Sequence, residues 1–118
     1  MKRIFVILIT ALFTVTVLQA QKKLVADVNS TVIDWKGDKI VGSFHVGTIA
    51  LKSGWLTLDG KTVTGGEFLV DMTSIRNSDI KDEKMNERLV GHLKSEDFFG
   101  VEKYPHSKLV ITGGAKNA

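Results

Sequence analysis

The sequence has no cysteine, so no disulfide framework holds it, and neither a thiolate metal ligand nor a lipid-modified cysteine is available. Proline and tyrosine occur once each, as Pro105 and Tyr104. A 118-residue chain with 43% hydrophobic and 25% charged side chains lacks the polar excess of a disordered polymer. It suits one globular domain stabilised by packing alone. Excess charge of one sign is missing as well. The formal +3 includes Lys2 and Arg3, and without residues 1–20 there are 14 basic side chains against 13 acidic ones, a balance of +1. No basic stripe remains to neutralise phosphates, which argues against a nucleic-acid partner.

Long apolar runs are absent except at the start. Ile4 to Leu18 is broken only by Thr10, Thr14 and Thr16, follows Lys2-Arg3 and ends in Gln19-Ala20-Gln21. The run is shorter than the ~20 residues a membrane span requires. A basic start, a short apolar core and a small residue before the cut make residues 1–20 a secretory signal peptide, cleaved after Ala20. Residues 21–118 form the mature domain, without a stable membrane span, and its expected location is the periplasm or the medium.

Beyond Gln21 the hydrophobic period is two. Strands are expected at Leu24–Val28 and Thr31–Trp35, broken at Asn29-Ser30, and a long strand at Ile40–Lys52. In the long strand Phe44, Val46, Thr48 and Ala50 share one face and His45, Gly47, Ile49 and Leu51 the other; neither is strongly polar. A strand apolar on both sides suits a layer between a packed exterior and a lined interior. Trp55–Asp59 and Thr62–Met72 form a hairpin, with Asp59-Gly60 the expected central pair of a type I′ turn. Its second arm sets Phe68, Val70 and Met72 on one side and Glu67, Leu69 and Asp71 on the other, and Gly65-Gly66 marks a bulge or bend. Thr73–Ser78 reads as a loop, with Asp71 and Ser74 as anchors for its backbone. Met85, Leu89 and Leu93 at spacing four predict an amphipathic helix over Asp79–Leu93 with a solvated charged face, which Gly91 is able to end early. Ser95, Glu96 and Asp97 suggest the capped start of a second helical piece carrying Phe98 and Phe99. A last strand spans Ser107–Thr112, before the turn-like Gly113-Gly114.

Other motifs point to little chemistry. Gly54 to Gly60 before Lys61-Thr62 is one residue too long for a phosphate-binding loop and sits on a hairpin. His45, His92 and His106 lie in different elements without metal-ligand spacing, so no metal is expected. No nucleophile elbow accompanies the Ser, His and Asp residues. Asn29-Ser30-Thr31 matches a glycosylation sequon, relevant only in a eukaryote.

Five ordered segments carry a family resemblance: Trp35-x-Gly37-x-Lys39; His45-x-Gly47-Thr48-Ile49; Leu51-Lys52-Ser53-Gly54; Gly66-x-Phe68-x-Val70-Asp71-Met72-Thr73-Ser74-Ile75; and Leu89-Val90-Gly91-His92-Leu93-Lys94-Ser95-x-Asp97-Phe98-Phe99-x-Val101-Glu102-x-Tyr104-Pro105. Together they resemble the YceI-like family over about residues 24–112. The resemblance implies a mainly β fold, an antiparallel lipocalin-like barrel with one amphipathic helix. It also implies an exported, non-enzymatic protein that holds a polyisoprenoid or other long-chain lipid in an apolar interior, without a cofactor. The aromatics Trp35, Phe44, Phe68, Phe98 and Phe99 are then candidate tail-lining residues. His45, Ile49, Val70, Leu89 and Leu93 complete the set. The alternative classes are a secreted β domain with a packed interior acting through a protein partner, and a histidine-dependent metal protein or enzyme.

Two departures from the family pattern carry expectations of their own. Gly42 to Gly47 holds one residue more than the pattern, which calls for a bulge or a shifted register. Five or six strands are countable where such a barrel needs about eight, so the domain is expected to be incomplete at its C-terminus. An open sheet edge then gives a route to oligomers.

Overall fold

The computed structural model describes residues 21–114; the expected signal peptide lies outside them. Five strands and one helix follow one another as β1 (Lys22–Val25), β2 (Ile33–Asp38), β3 (Phe44–Asp59), β4 (Thr62–Asn77), α1 (Glu83–Lys94) and β5 (His106–Ile111). All pairings are antiparallel. One edge of β3 takes β2 along Phe44–Ile49 and β1 along Trp55–Leu58. Its other edge takes β4, and β5 covers Gly66–Asp71 of β4. Among the described residues the fold is mainly β with a single helix, as the sequence predicts. Among the described residues β5 pairs only with β4, and β1 and β2 only with β3.

Several boundaries differ from expectation for identifiable reasons. Residues Trp55–Asp59 do not start a new strand at Ser53-Gly54; they continue β3, and a register shift between Leu51 and Ser53 takes up the irregularity. The β3–β4 turn centres on Gly60 and Lys61, because Asp59 pairs with Thr62. Only Gly60, at φ 60°, is left-handed there, which fits a turn with glycine at its first central position and not the expected type I′ pair. Ile40 and Val41 are fully exposed and belong to the β2–β3 loop, where Gly42 has φ 104°. The extra residue before Gly47 needs no bulge against β2, as Asp38 to Ile33 pair with Phe44 to Ile49 without a break.

The loop expected at Thr73–Ser78 is strand as far as Asn77, because side chains hold an irregular stretch in place. The Asp71 carboxylate accepts from the Thr73 backbone N–H at 3.0 Å and from its hydroxyl at 2.6 Å. Ser74 Oγ donates to the Asp71 carbonyl at 2.6 Å and accepts the Ala50 N–H at 2.8 Å. Asp71 and Ser74 thus anchor backbone, as expected, but within a sheet. The carboxyl of Asp71 sits below its usual range, mainly through the Thr73 hydroxyl.

Helix α1 starts at Glu83, four residues later than expected, capped by the Asp82 carboxylate on the Met85 N–H at 2.9 Å. Gly91 does not end it. Its sheet-facing stripe is Asn86, Leu89, Val90 and Leu93, all half-buried, whereas Met85 is 62% exposed. Ser95 caps the end of this helix, its N–H and Oγ both donating to the His92 carbonyl. Among the described residues no second helix follows. Residues 96–103 form turns, with Gly100 at φ 49°.

Buried apolar side chains are few: Leu51 of β3, Met72 and Ile75 of β4, and Val101 of the segment after α1. At about 1.5–3 kcal/mol each, they leave much of the stabilisation to the ladders and side-chain clamps. Glycines allow the closest packing. A Cβ on Gly47 would strike the Arg76 carbonyl oxygen and lie 2.6 Å from the Trp35 ring, whereas one on Gly91 meets nothing within 4 Å. Gly47→Ala is therefore expected to cost ~3 kcal/mol or more, and Gly91→Ala to stabilise α1 by up to ~1 kcal/mol. Denaturant midpoints of the two variants check both signs.

Candidate functional site

Cross-strand partners share a face of a sheet, and a one-residue bulge flips the alternation beyond it. Leu51 pairs with Val70 and Gly54 with Phe68, the extra β3 residue falling between. The His45, Gly47, Ile49 and Leu51 face therefore continues into Gly54 and Leu56. Trp35 and Ile33 join it from β2, Leu24 from β1, Phe68 and Val70 from β4, and Leu109 and Ile111 from β5. One face of a five-stranded sheet is thus apolar over roughly 20 Å along β3, from Ile49 to Leu56.

Two aromatic rings shape that face. Trp35 lies across Gly47 and reaches β4, where its indole N–H donates to the Arg76 carbonyl at 2.9 Å. Phe68 lies over Gly54, where a Cβ would be 2.5 Å from its ring. Glycine beneath each ring lets the aromatic lie close to the backbone and keeps the surface shallow. Beyond Phe68 a small apolar cleft of about 100 Å³ is lined by Leu24, Leu56 and Phe68 among others. Leu109 stays 59% exposed and Leu24 41%.

The opposite end of the face is polar. His45 Nδ1 lies 2.8 Å from Asp79 Oδ2. Asp79 Oδ1 accepts the Val46 N–H at 2.9 Å and an Asn77 side-chain N–H at 2.6 Å. Buried Asn77 also donates to the Val46 carbonyl and accepts the Ile80 N–H, and the Asn86 amide of α1 donates to the Asn77 and Ile80 carbonyls. This chain of bonds extends the β3–β4 ladder past Asn77 and fastens the start of the helical segment to the sheet.

The ten candidate lining residues fall into three groups. Trp35, His45, Ile49, Phe68 and Val70 share the apolar face. Phe44 lies on the other face, pairing with Asp38, with the Lys36 ammonium 4.6 Å from its ring centre. Leu89 and Leu93 are half-buried on α1, while Phe98 and Phe99 are 57% and 47% exposed in the following turns. Phe98 meets the His92 ring edge-on at 4.8 Å, and Phe99 borders an open pocket of about 270 Å³ with Glu96, Lys103 and Tyr104. Open grooves of about 540 Å³ between β4 and α1 and about 700 Å³ at the end of α1 are lined by mixed polar and apolar side chains.

The three histidines sit apart, in separate pairs. His45 meets Asp79, His92 approaches Asp97 at 3.2 Å, and His106 Nε2 lies 3.0 Å from Lys52 Nζ. Among the described residues no three His, Cys, Asp or Glu side chains gather as a metal site would require. Sequence reasoning passed over Leu24, Leu56, Leu109 and Ile111, whose facing depends on register. It also passed over Asp79, Asn77 and Asn86, whose polarity reads as solvated helix or loop. The only available signal was Asp79 lying outside the helical stripe.

The Asp79 carboxyl is held down to about 2 from the usual 3.8, first by the His45 hydrogen bond and then by the Val46 N–H. A lowered folded-state value means that this contribution to stability is complete above pH ~4 and disappears as pH falls toward 2. Asp79→Asn is expected to flatten that part of the acid limb. Thermal midpoints of both proteins between pH 5 and 2 test this.

Comparisons with curated proteins and with solved structures find no match. The model of the YceI-like domain matches residues 19–117. That span takes in every strand of the sheet, both aromatic–glycine contacts and the His45–Asp79 end, and by it the chain belongs to the YceI-like domain family.

Proposed function

We propose that this protein binds a polyisoprenoid or other long-chain lipid along the sheet face bearing Trp35, Ile49, Val70 and Phe68, by burial and without covalent chemistry. The observation that carries the reading is a continuous apolar face whose side chains are mostly half-buried, with Leu24 and Leu109 exposed toward one end, in a chain of a family associated with lipid binding. A contiguous apolar patch of this kind marks a candidate binding surface. At ~0.8 kcal/mol per buried methylene, against at least ~4 kcal/mol lost on association, a micromolar complex near −8.2 kcal/mol needs roughly 15 buried carbons. Tail length is therefore the main determinant of affinity.

A twenty-carbon isoprenoid is expected to bind at micromolar concentration and a five-carbon one not measurably. Equal affinity for the two in a fluorescence displacement assay would refute the reading. Leu109→Asp places a carboxylate at an exposed point of the face. It is expected to leave the thermal midpoint within about 2 °C and to weaken tail binding at least about tenfold. The reading includes export, with residues 1–20 removed as a signal peptide and the domain working in the periplasm or the medium. The intact mass of secreted protein is then expected to begin at Gln21; a mass that retains residues 1–20 would contradict cleavage.

A further inference from the structure

The apolar face has a polar end at His45, and the geometry there distinguishes the chemistry of a ligand's head from that of its tail. His45 and Gly47 stand on the same side of β3, two residues apart, and the Trp35 ring covers Gly47. The residue opposite His45 on β2 is Gly37, which brings no side chain to the spot. Nδ1 is committed to the Asp79 carboxylate at 2.8 Å. Nε2 has no partner among the described residues, and since no buried side-chain nitrogen or oxygen there goes without one, Nε2 opens to solvent.

We propose that His45 Nε2 is the head-group acceptor of the lipid site and selects a tail that ends in a hydroxyl. The inference rests on the lipid-binding reading and adds a direction to it, with the head at His45 and the tail running past Trp35 and Ile49 toward Phe68. An ionised carboxylate facing Nδ1 makes that nitrogen the N–H donor. In the neutral ring Nε2 then carries the lone pair and takes an O–H donor. A hydrocarbon offers nothing to that lone pair. A fatty acid offers a carboxylate, which meets the Asp79 negative charge held behind the ring. The bond between His45 and Asp79 fixes the ring's tautomer and orientation, so the acceptor is in place before the ligand arrives.

The test uses three twenty-carbon isoprenoid probes differing only at the end: geranylgeraniol, geranylgeranic acid and the corresponding hydrocarbon. Binding is measured at pH 8 to the wild-type protein and to His45→Leu. The wild type is expected to bind the alcohol about two- to tenfold more tightly than the hydrocarbon and to bind the acid less tightly than the alcohol. His45→Leu should bind alcohol and hydrocarbon alike. On the wild-type protein, the ¹⁵N resonance of His45 Nε2 should move with the alcohol and stay still with the hydrocarbon; this readout serves even if the leucine variant fails to fold. Equal binding of alcohol and hydrocarbon by the wild type, a preference that survives in His45→Leu, or an Nε2 resonance indifferent to the alcohol would overturn the head-group assignment and leave tail binding intact. If no twenty-carbon probe binds the wild type, the lipid reading falls and this assignment with it.

Discussion

The pairing of β3 with β4 is the constraint on which the rest of the molecule depends. Each strand has 16 residues, and every other element attaches to one of them: β1 and β2 to β3, β5 and α1 to β4. Two regular strands of that length would present a simple alternation of faces. Here three register shifts interrupt the pairing, and each has a chemical counterpart. At the turn end Thr57 and Thr64 exchange a hydroxyl contact at 3.0 Å. In the middle the unpaired position of β3 brings Leu51 and Gly54 to one face. Further on, Asp71 and Ser74 satisfy backbone groups that the ladder leaves unpaired. These irregularities let a sheet curve without losing hydrogen bonds, and they decide which side chains meet on the apolar face.

What was legible in the sequence follows the same division. The period of two identified β3 and β4, and correctly set His45, Gly47, Ile49 and Leu51 against Phe44 and Val46, because β3 pairs with β2 without a break as far as Ile49 and the shift at Thr48/Ala50 puts its extra residues on β4. Phe68 and Val70 were likewise placed on one side. Joining the two sets into a single face required the register shift at Leu51/Ser53, which alternation alone does not reveal. The Thr73–Ser78 stretch read as loop because short polar residues favour turns, yet the same hydroxyls here satisfy strand backbone. Asp79 read as the start of a helix because it opens the charged stretch over which Met85, Leu89 and Leu93 recur at spacing four. Its carboxylate is instead taken by His45 and Val46, and Asp82 becomes the cap. Helix α1 turned its half-buried stripe by about one residue, from Met85 to Asn86, because Asn86 is held by the Asn77 and Ile80 carbonyls.

The distribution of burial connects this architecture with binding. Among the described residues the buried apolar side chains are Leu51, Met72, Ile75 and Val101, while Leu24 and Leu109 on the apolar face, Val25, Val110 and Phe44 on the other, and the turn aromatics Phe98, Phe99 and Tyr104 stay exposed. Rigidity therefore comes chiefly from polar clamps: the Trp35 indole on the Arg76 carbonyl, the Asp71–Ser74 bulge and the Asp79–Asn77–Asn86 chain. Such clamps hold the sheet in shape where few side chains are buried. The half-buried apolar face remains the candidate surface for a tail, with glycine under Trp35 and Phe68 keeping the path low.

The central claim is that a long-chain tail lies on one face of the sheet and not the other. It is tested most directly by intermolecular NOEs between an unlabelled twenty-carbon isoprenoid and methyl-labelled protein. The account predicts NOEs to Ile49, Val70, Leu56 and Leu109 and none to Leu69 and Val110, whose side chains alternate onto the opposite face. NOEs to the second set, or equally to both, would contradict it.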